Sequence, residues 1–324
     1  MKPVLILTEQ RDPHADAVIR ELESLETPVV RLNTEDFLQS VEFSWKIESG
    51  SDREAVLRIA DSGREIVASE IRSAWYRRPR VPAPPTNMGE PFRSFTVKEA
   101  QSTLWGFYAT LDCLWVSNPF AIKRAEHKLL QLSTAKSLGF EIPATLVTND
   151  VDAARTFVKS QAQVICKPLS NADLVFEGAP FGVFTKTVTT DVFDRYADDI
   201  RNGPTLLQTM IQKDYELRIT VIGTEVFACA LDTQLLPETR EDWRVLADVS
   251  KIKHSTVRLP DAVERRVIDL VRSLGLMFGA IDMVVTPDQR YVFLEINPNG
   301  QWYWIELLTE QPLAKSMAKL LTRG

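Results

Sequence analysis

Asp282, Glu295 and Asn297 are the residues whose types and spacing point most directly to chemistry. They interrupt two apolar runs in "GAIDMVVTPDQRYVFLEINPNG". A turn centred between Asp288 and Gln289 pairs Thr286 with Tyr291, Val284 with Phe293 and Asp282 with Glu295. Strand alternation puts Glu295 and Asn297 on one face and Ile296 on the other. Like charges side by side in a sheet repel, so a cation belongs between them, and an all-oxygen set of this kind suits Mg²⁺. A solvated sheet edge that binds nothing is the plain alternative.

Further candidates lie upstream. Lys167 closes the run "VICK" ahead of a proline, where a rigid strand end could offer its ammonium to a phosphate. Lys128 sits in a helical pattern; both lysines could equally be surface charges. "LLQTMIQKDYELRITVIG" places Gln208, Met210 and Ile211 where an apolar hinge could present backbone groups to an adenine edge. Glu216 and Arg218, two apart, share a strand face, an acid for ribose hydroxyls and a guanidinium for phosphate, or else an ordinary ion pair. Arg72, Arg77, Arg78 and Arg80 cluster around Trp75 and Tyr76. Such a cluster could clamp a carboxylate, but Arg77 and Arg78 point to opposite faces if extended, so at most one reaches a site directly. Arg244, in the polar loop "REDWRVL", could close over a substrate. His14, His127 and His254 lack ligand spacing and receive no catalytic role.

These residues need strands and helices to hold them. "VLILT", the amphipathic segment after it and "PVVRLN" form a βαβ opening. From Val41 to Arg80 shorter strand-like pieces suggest hairpins added to that first layer. The proline-rich "VPAPPTNMGEP" is a loop, and a helix follows over 92–114. After a division near Asn118 come a helix ending at Gly139, a strand Thr145–Thr148, a helix Val151–Ser160, a strand Val164–Lys167, a helix over 191–200 and a strand over 205–211. The last block holds paired strands around Glu216, a helix over 260–274, the Asp282 hairpin and a terminal helix from Pro312. The chemistry is therefore expected on an α/β chain with α+β subdomains.

Composition narrows the function. At 324 residues, and roughly 100–200 per domain, two or three domains are expected. A net charge of −6 argues against general nucleic-acid or membrane-surface binding, so an anionic ligand must meet a local basic patch. Cys113, Cys166 and Cys229 are odd in number and lack CxxC spacing, which argues against a disulfide framework or zinc. With no apolar run approaching a spanning helix, a cytoplasmic location is expected.

Lysine on a helix, lysine ending a strand, hinge, E-x-R, D, then E-x-N is an order of parts that resembles the ATP-grasp superfamily from Lys128 onward. That resemblance implies that Lys128, Lys167, Gln208, Met210, Ile211, Glu216 and Arg218 hold ATP, with Arg218 and Lys167 catalytic, and that Asp282, Glu295 and Asn297 hold Mg²⁺. "SAWYRRPR", "YELRITVIG" and "GAIDMVVTPDQRYVFLEINPNGQWYWIELLT" are similar, almost end to end, to the microviridin-type (graspetide) ligases that macrocyclise ribosomal precursor peptides. The likeness implies an ATP-grasp fold with a pre-ATP-grasp domain over 1–118, a central subdomain over 119–205 and a C-terminal subdomain over 206–324. It implies activation of acidic side chains as acyl phosphates and closure of ω-ester or ω-amide rings. Arg77, Arg78 and Arg244 would then face the peptide's core. Instead of the superfamily's glycine-rich flap, "LSNADLVFEGAPFGVFTKTV" holds only Gly178 and Gly182, and by the likeness this hairpin region binds the leader. A ligase adding glutamate or another amino acid, or a non-catalytic nucleotide-binding regulator, remains an alternative. A homodimer is compatible with all three.

Overall fold

The computed structural model describes residues 1–49, 54–60, 63–170, 173–176, 179–246 and 248–324; Gly178 lies outside them. The opening βαβ unit builds a four-stranded parallel sheet, ordered Val29–Asn33, Val4–Thr8, Ser73–Tyr76 and Leu114–Val116. Val4–Thr8 is buried at every position, as expected of a parallel strand covered on both faces. The helix Pro13–Ser24 starts where Asp12 accepts from the His14 backbone N–H and proline occupies the first turn. It packs on the C-terminal helix Leu313–Leu321, so the two ends of the chain share one core.

The segment from Val41 to Arg80 divides differently from the expected hairpins. Val41–Lys46, Glu54–Ile59 and Arg64–Val67 form a separate antiparallel sheet. The piece containing "SAWY" instead joins the first sheet as a parallel strand beside Val4–Thr8. Its Ser73, Ala74 and Trp75 are buried, which a solvent-facing hairpin would not provide.

A second sheet, ordered Lys186–Val188, Val164–Lys167, Thr205–Thr209 and Thr145–Thr148, is antiparallel throughout. The helix Val151–Ser160 covers it with Val151, Ala154 and Val158. Because Thr205–Thr209 pairs with two strands of this sheet, the division expected at 205/206 falls inside a strand. Met210 and Ile211 lie just beyond the strand's end.

The third sheet has five antiparallel strands, ordered Lys253–Thr256, Glu225–Asp232, Tyr215–Ile222, Phe278–Val285 and Tyr291–Asn297. The helix Asp261–Ser273 buries Val263, Val267, Leu270 and Val271 against one face, each contributing about 1.5–3 kcal/mol. The other face carries Glu216, Arg218 and Asp282. Asp282 opposes Glu295 as expected, but Val284 opposes Val292 rather than Phe293. The turn closes between Thr286 and Arg290 with Gln289 at φ 63°, a three-residue loop that shifts the register by one. A bulge at Leu294 shifts it back. Among the described residues, no helix is long and apolar enough to cross a membrane, and the three cysteines are unpaired.

Candidate active site

The second and third sheets meet over a solvent-open cavity. Lys167, Gln208, Met210 and Ile211 line it from one side, Glu216, Asp282 and Glu295 from the other, and Arg244 from the loop above. A second cavity adjoins it, lined by Lys128, Arg244, Glu295 and Asn297. Lys128 opens the helix Lys128–Ser137. One turn later the buried Gln131 donates to Ile296 O (2.8 Å) and accepts from Ile296 N–H (3.1 Å), fixing that helix against the Glu295 strand.

The paired carboxylates are held by cations. Lys128 Nζ lies 2.7 Å from Glu295 Oε2, and Arg244 Nη1 3.8 Å from Oε1. Arg218 Nη1 donates to both oxygens of Asp282, at 2.8 and 2.9 Å. Burial would raise the Glu295 carboxyl, but Lys128, Lys167 and Arg244 outweigh it and hold the group at about 2. Asp282 moves the other way, pushed up by burial and by Glu295 while Arg218 limits the rise. Burial, reinforced by Lys128 and Arg244, lowers the Lys167 ammonium to about 8. Lys128, Lys167, Arg218 and Arg244 face three carboxylates, Asp242, Asp282 and Glu295. Lys213, Glu216 and Glu241 line the cavity as well, so the walls carry no surplus of positive charge, and an anion must be met by the individual cations Lys128, Lys167 and Arg244.

Asn297 Nδ2 donates to Asp282 Oδ2 at 3.0 Å, which turns its side-chain carbonyl oxygen toward the same face as Asp282 and Glu295. Among the described residues, no cluster of three or more His, Cys, Asp or Glu side chains could hold a metal. Two carboxylates and an amide oxygen are a donor set that suits Mg²⁺, which takes the rest of its shell from water and phosphate oxygens.

Glu216 is buried, and burial raises its carboxyl while Lys213 opposes the rise. Lys213 Nζ (2.6 Å) and Thr233 Oγ1 (3.1 Å) both bond Oε1. Sequence reasoning missed Lys213, although its place three residues before Glu216 on a turn into the strand was a usable signal. Missed as well was Asp242, which accepts from Thr185 N–H (3.1 Å) and from Arg244 Nη2 (2.7 Å), tying the Arg244 loop to the second sheet. Met210 N–H is already bonded to Gln163 O (3.0 Å). The hinge therefore has the Met210 carbonyl and the Ile211 peptide to offer, but not the Met210 N–H. Gln208 is fully buried and donates to Thr145 Oγ1 (2.8 Å).

The arginine cluster does not reach the cavity. Arg77 is 2% exposed and donates from Nη1 to Asn299 O (3.0 Å) and Gly300 O (3.3 Å). Arg78 and Arg80 pair with Glu9. An extended strand end could not foretell this, because the carbonyls that capture Arg77 come from more than 200 residues away. Arg218 is likewise absent from both cavity walls and stands behind Asp282. Of the terminal aromatics, Trp302 is buried, and Trp304 packs on Trp243 at 5.7 Å, supporting the Arg244 loop.

Residues 3–123 match the family model of the MvdD pre-ATP grasp domain. No curated protein matches the chain. Among solved structures, the chain is similar to a Chryseobacterium gregarium RiPP-associated ATP-grasp ligase in complex with ADP, a leader and a core peptide. The TM-score is 0.92 and the identity 30%, over 100% of this chain and 97% of that one. It is similar to the Microcystis aeruginosa macrocyclase MdnC bound with the precursor peptide MdnA, at TM-score 0.85 and 30% identity over 99% and 100%. It also resembles the macrocyclase MdnB of the same organism, at TM-score 0.80 and 30% identity over the whole of both chains. Likeness of this extent in both sequence and backbone makes the chain a member of the RiPP-associated ATP-grasp ligase family.

Proposed function

We propose that the protein is an ATP-dependent carboxylate ligase that closes ω-ester or ω-amide rings in a ribosomally made precursor peptide. One observation carries the reading: four cations converge on the Asp282–Glu295 pair at the wall of a cavity between two sheets. Family membership supports it, as do the ADP and peptides named for the Chryseobacterium ligase and the precursor named for MdnC.

In this reading Met210 and Ile211 meet the adenine edge, and Glu216, fixed by Lys213 and Thr233, accepts from the ribose hydroxyls. Lys128 and Lys167 pair with phosphate oxygens. Bound Mg²⁺, held by Asp282, Glu295 and Asn297, would neutralise charge on the β- and γ-phosphates. A side-chain carboxylate of the peptide attacks the γ-phosphorus, releasing ADP and forming an acyl phosphate. A hydroxyl or amine of the same peptide then attacks the acyl carbon, phosphate leaves, and an ester or amide remains. Positioning and charge neutralisation carry the chemistry, so no protein nucleophile is needed. Lys167 stabilises charge on the transferring group; Arg218 serves by holding Asp282; Arg244, half-exposed above Glu295, faces the incoming peptide carboxylate. The leader lies against the hairpin region, where Val183 and Phe184 are exposed.

The test is to incubate the protein with ATP, Mg²⁺ and the acidic peptide encoded beside it, and to weigh the peptide. Loss of one water per ring is expected. Gain of amino-acid residues would instead identify a tail-adding ligase, and nucleotide binding without any mass change would identify a regulator.

A further inference from the structure

Arg77 is the most deeply buried arginine outside the cavity, and nothing in the reaction described above uses it. It leaves the strand Ser73–Tyr76 and crosses to the loop that follows the Glu295 strand. Its Nε lies 3.4 Å from Asp12 Oδ2, and both side chains are 2% exposed. Asp12 is itself fixed, accepting from Thr8 Oγ1 (2.6 Å) and from the His14 N–H (3.1 Å). His14 Nδ1 accepts from Tyr303 N–H at 3.3 Å, and its ring meets Trp302 edge-on at 5.0 Å. Burial, then Arg77, lowers His14 to about 3, so the ring stays neutral and keeps that acceptor nitrogen. Arg77 thus grips one loop at Asn299 and Gly300, and His14 holds Tyr303 just beyond it, while Asp12 fixes Arg77 from behind.

The same loop is held from the other side by Arg218, whose Nη2 donates to Gln301 O at 3.0 Å while its Nη1 holds Asp282. Gly300 lies between the two grips. A Cβ there would stand 2.9 Å from Arg218 Nη2 and 2.7 Å from the Ala280 Cβ. The loop therefore touches the guanidinium that orients a metal ligand, and its position is set by the carbonyls Arg77 holds. Gly300 N–H also donates to the Asn297 backbone O at 3.2 Å, joining the loop to the end of the Glu295 strand.

We propose that Arg77 is a positioning residue for the metal side of the site, acting through the 299–301 carbonyls on Arg218 and not by touching substrate. The proposal rests on the ligase reading for its consequence in turnover, but not for its consequence in nucleotide binding. Partners behind a metal ligand typically change metal affinity or activity by roughly 10–100-fold. Calorimetry of ADP binding, with and without Mg²⁺, is made on the wild type, Arg77→Lys, Arg218→Lys and the double variant. A lysine keeps the charge but not the fork that spans Asp12 and two carbonyls. Where Arg77→Lys does not accumulate folded, Arg77→Met, which fills the volume without a charge, takes its place.

Arg77→Lys is expected to bind ADP without metal within twofold of the wild type. The gain in affinity from Mg²⁺ is expected to fall by roughly tenfold or more. The double variant should lose no more than Arg218→Lys alone, because the two act in series. With peptide, kcat should fall while the peptide KM stays put. An equal loss of metal-free ADP affinity, additive losses in the double variant, or a raised peptide KM at unchanged kcat each overturns the proposal. A wild type that shows the Mg²⁺ gain but makes no ring refutes the ligase reading alone. A wild type with no Mg²⁺ gain refutes both.

Discussion

Replacing Glu295 by glutamine removes one charge and almost no volume, so its consequences isolate the electrostatics of the site. In the native arrangement Lys128 Nζ stands 2.7 Å from Glu295 Oε2, with the two side chains only 17% and 14% exposed. At an effective dielectric of about 20 the gross attraction is about 6 kcal/mol. Desolvation of both groups can offset all of it, yet breaking a buried pair by removing one partner leaves a charge unpaired and typically costs about 3–5 kcal/mol. Glu295→Gln should therefore lower the unfolding free energy, measured in urea, by about that amount. Peptide dehydration, followed by mass, should fall by more than the roughly 10–100-fold typical of a partner behind a metal ligand, because Glu295 is a proposed ligand itself. The double variant Lys128→Met/Glu295→Gln separates the two effects. With neither charge present, stability should recover in part, because Lys167 and Arg244 still lack Glu295, while the peptide should remain unmodified. The reasoning is refuted if Glu295→Gln unfolds at the wild-type urea concentration, or if the double variant is no more stable than the single one.

Two other perturbations have equally definite signs. Lys167 titrates at about 8 in the fold against an ordinary 10.5. The unfolded chain therefore binds more protons between these values, and unliganded stability rises with pH there. Nucleotide phosphates favour the charged lysine, so ATP affinity should fall as pH rises above about 8, by at most about tenfold per pH unit; Lys167→Arg should abolish the slope, and a flat wild-type profile would remove Lys167 from the phosphate site. Gly300→Ala inserts a Cβ into the contact with Ala280 and Arg218 and should destabilise by about 1–3 kcal/mol while weakening the Mg²⁺ gain in ADP affinity, both read by calorimetry.

What was legible in the sequence follows a physical line. Val4–Thr8, Thr145–Thr148, Val151–Ser160 and Val164–Lys167 coincide with their expected bounds, because each is delimited by its own β-branched run, cap residue or proline. Asp282, Glu295 and Asn297 could be grouped because strand alternation and one hairpin bring them to one face, and Glu216 could be paired with Arg218 because they lie two apart on one strand. The partners of Arg77 were not legible, since Asp12 and Asn299 reach it through tertiary packing that no local signal encodes. Nor was the parallel placement of Ser73–Tyr76, whose short apolar run is the same for an edge hairpin and a central strand. Lys213 was overlooked for a different reason: a lysine in a turn is ordinary until the acid beside it proves buried.

The hairpin register shows how two local irregularities serve the site together. The three-residue turn, with Gln289 in the left-handed region, moves every pair near it one residue from the simplest pairing. Uncorrected, that slip would carry Glu295 to the helix-covered face, because a shift of one flips a strand's side chains. The bulge at Leu294 restores the register before Glu295 and adds something a regular strand cannot. Phe293 and Ile296 both enter the hydrophobic core, whereas Leu294 and Glu295, adjacent in sequence, both line the cavity. An apolar wall thus stands directly beside the carboxylate, which limits water around Glu295 and strengthens its pairing with Lys128. The expected Asp282–Glu295 pairing is met, but through a turn shift and a compensating bulge instead of the even ladder that alternation alone implies.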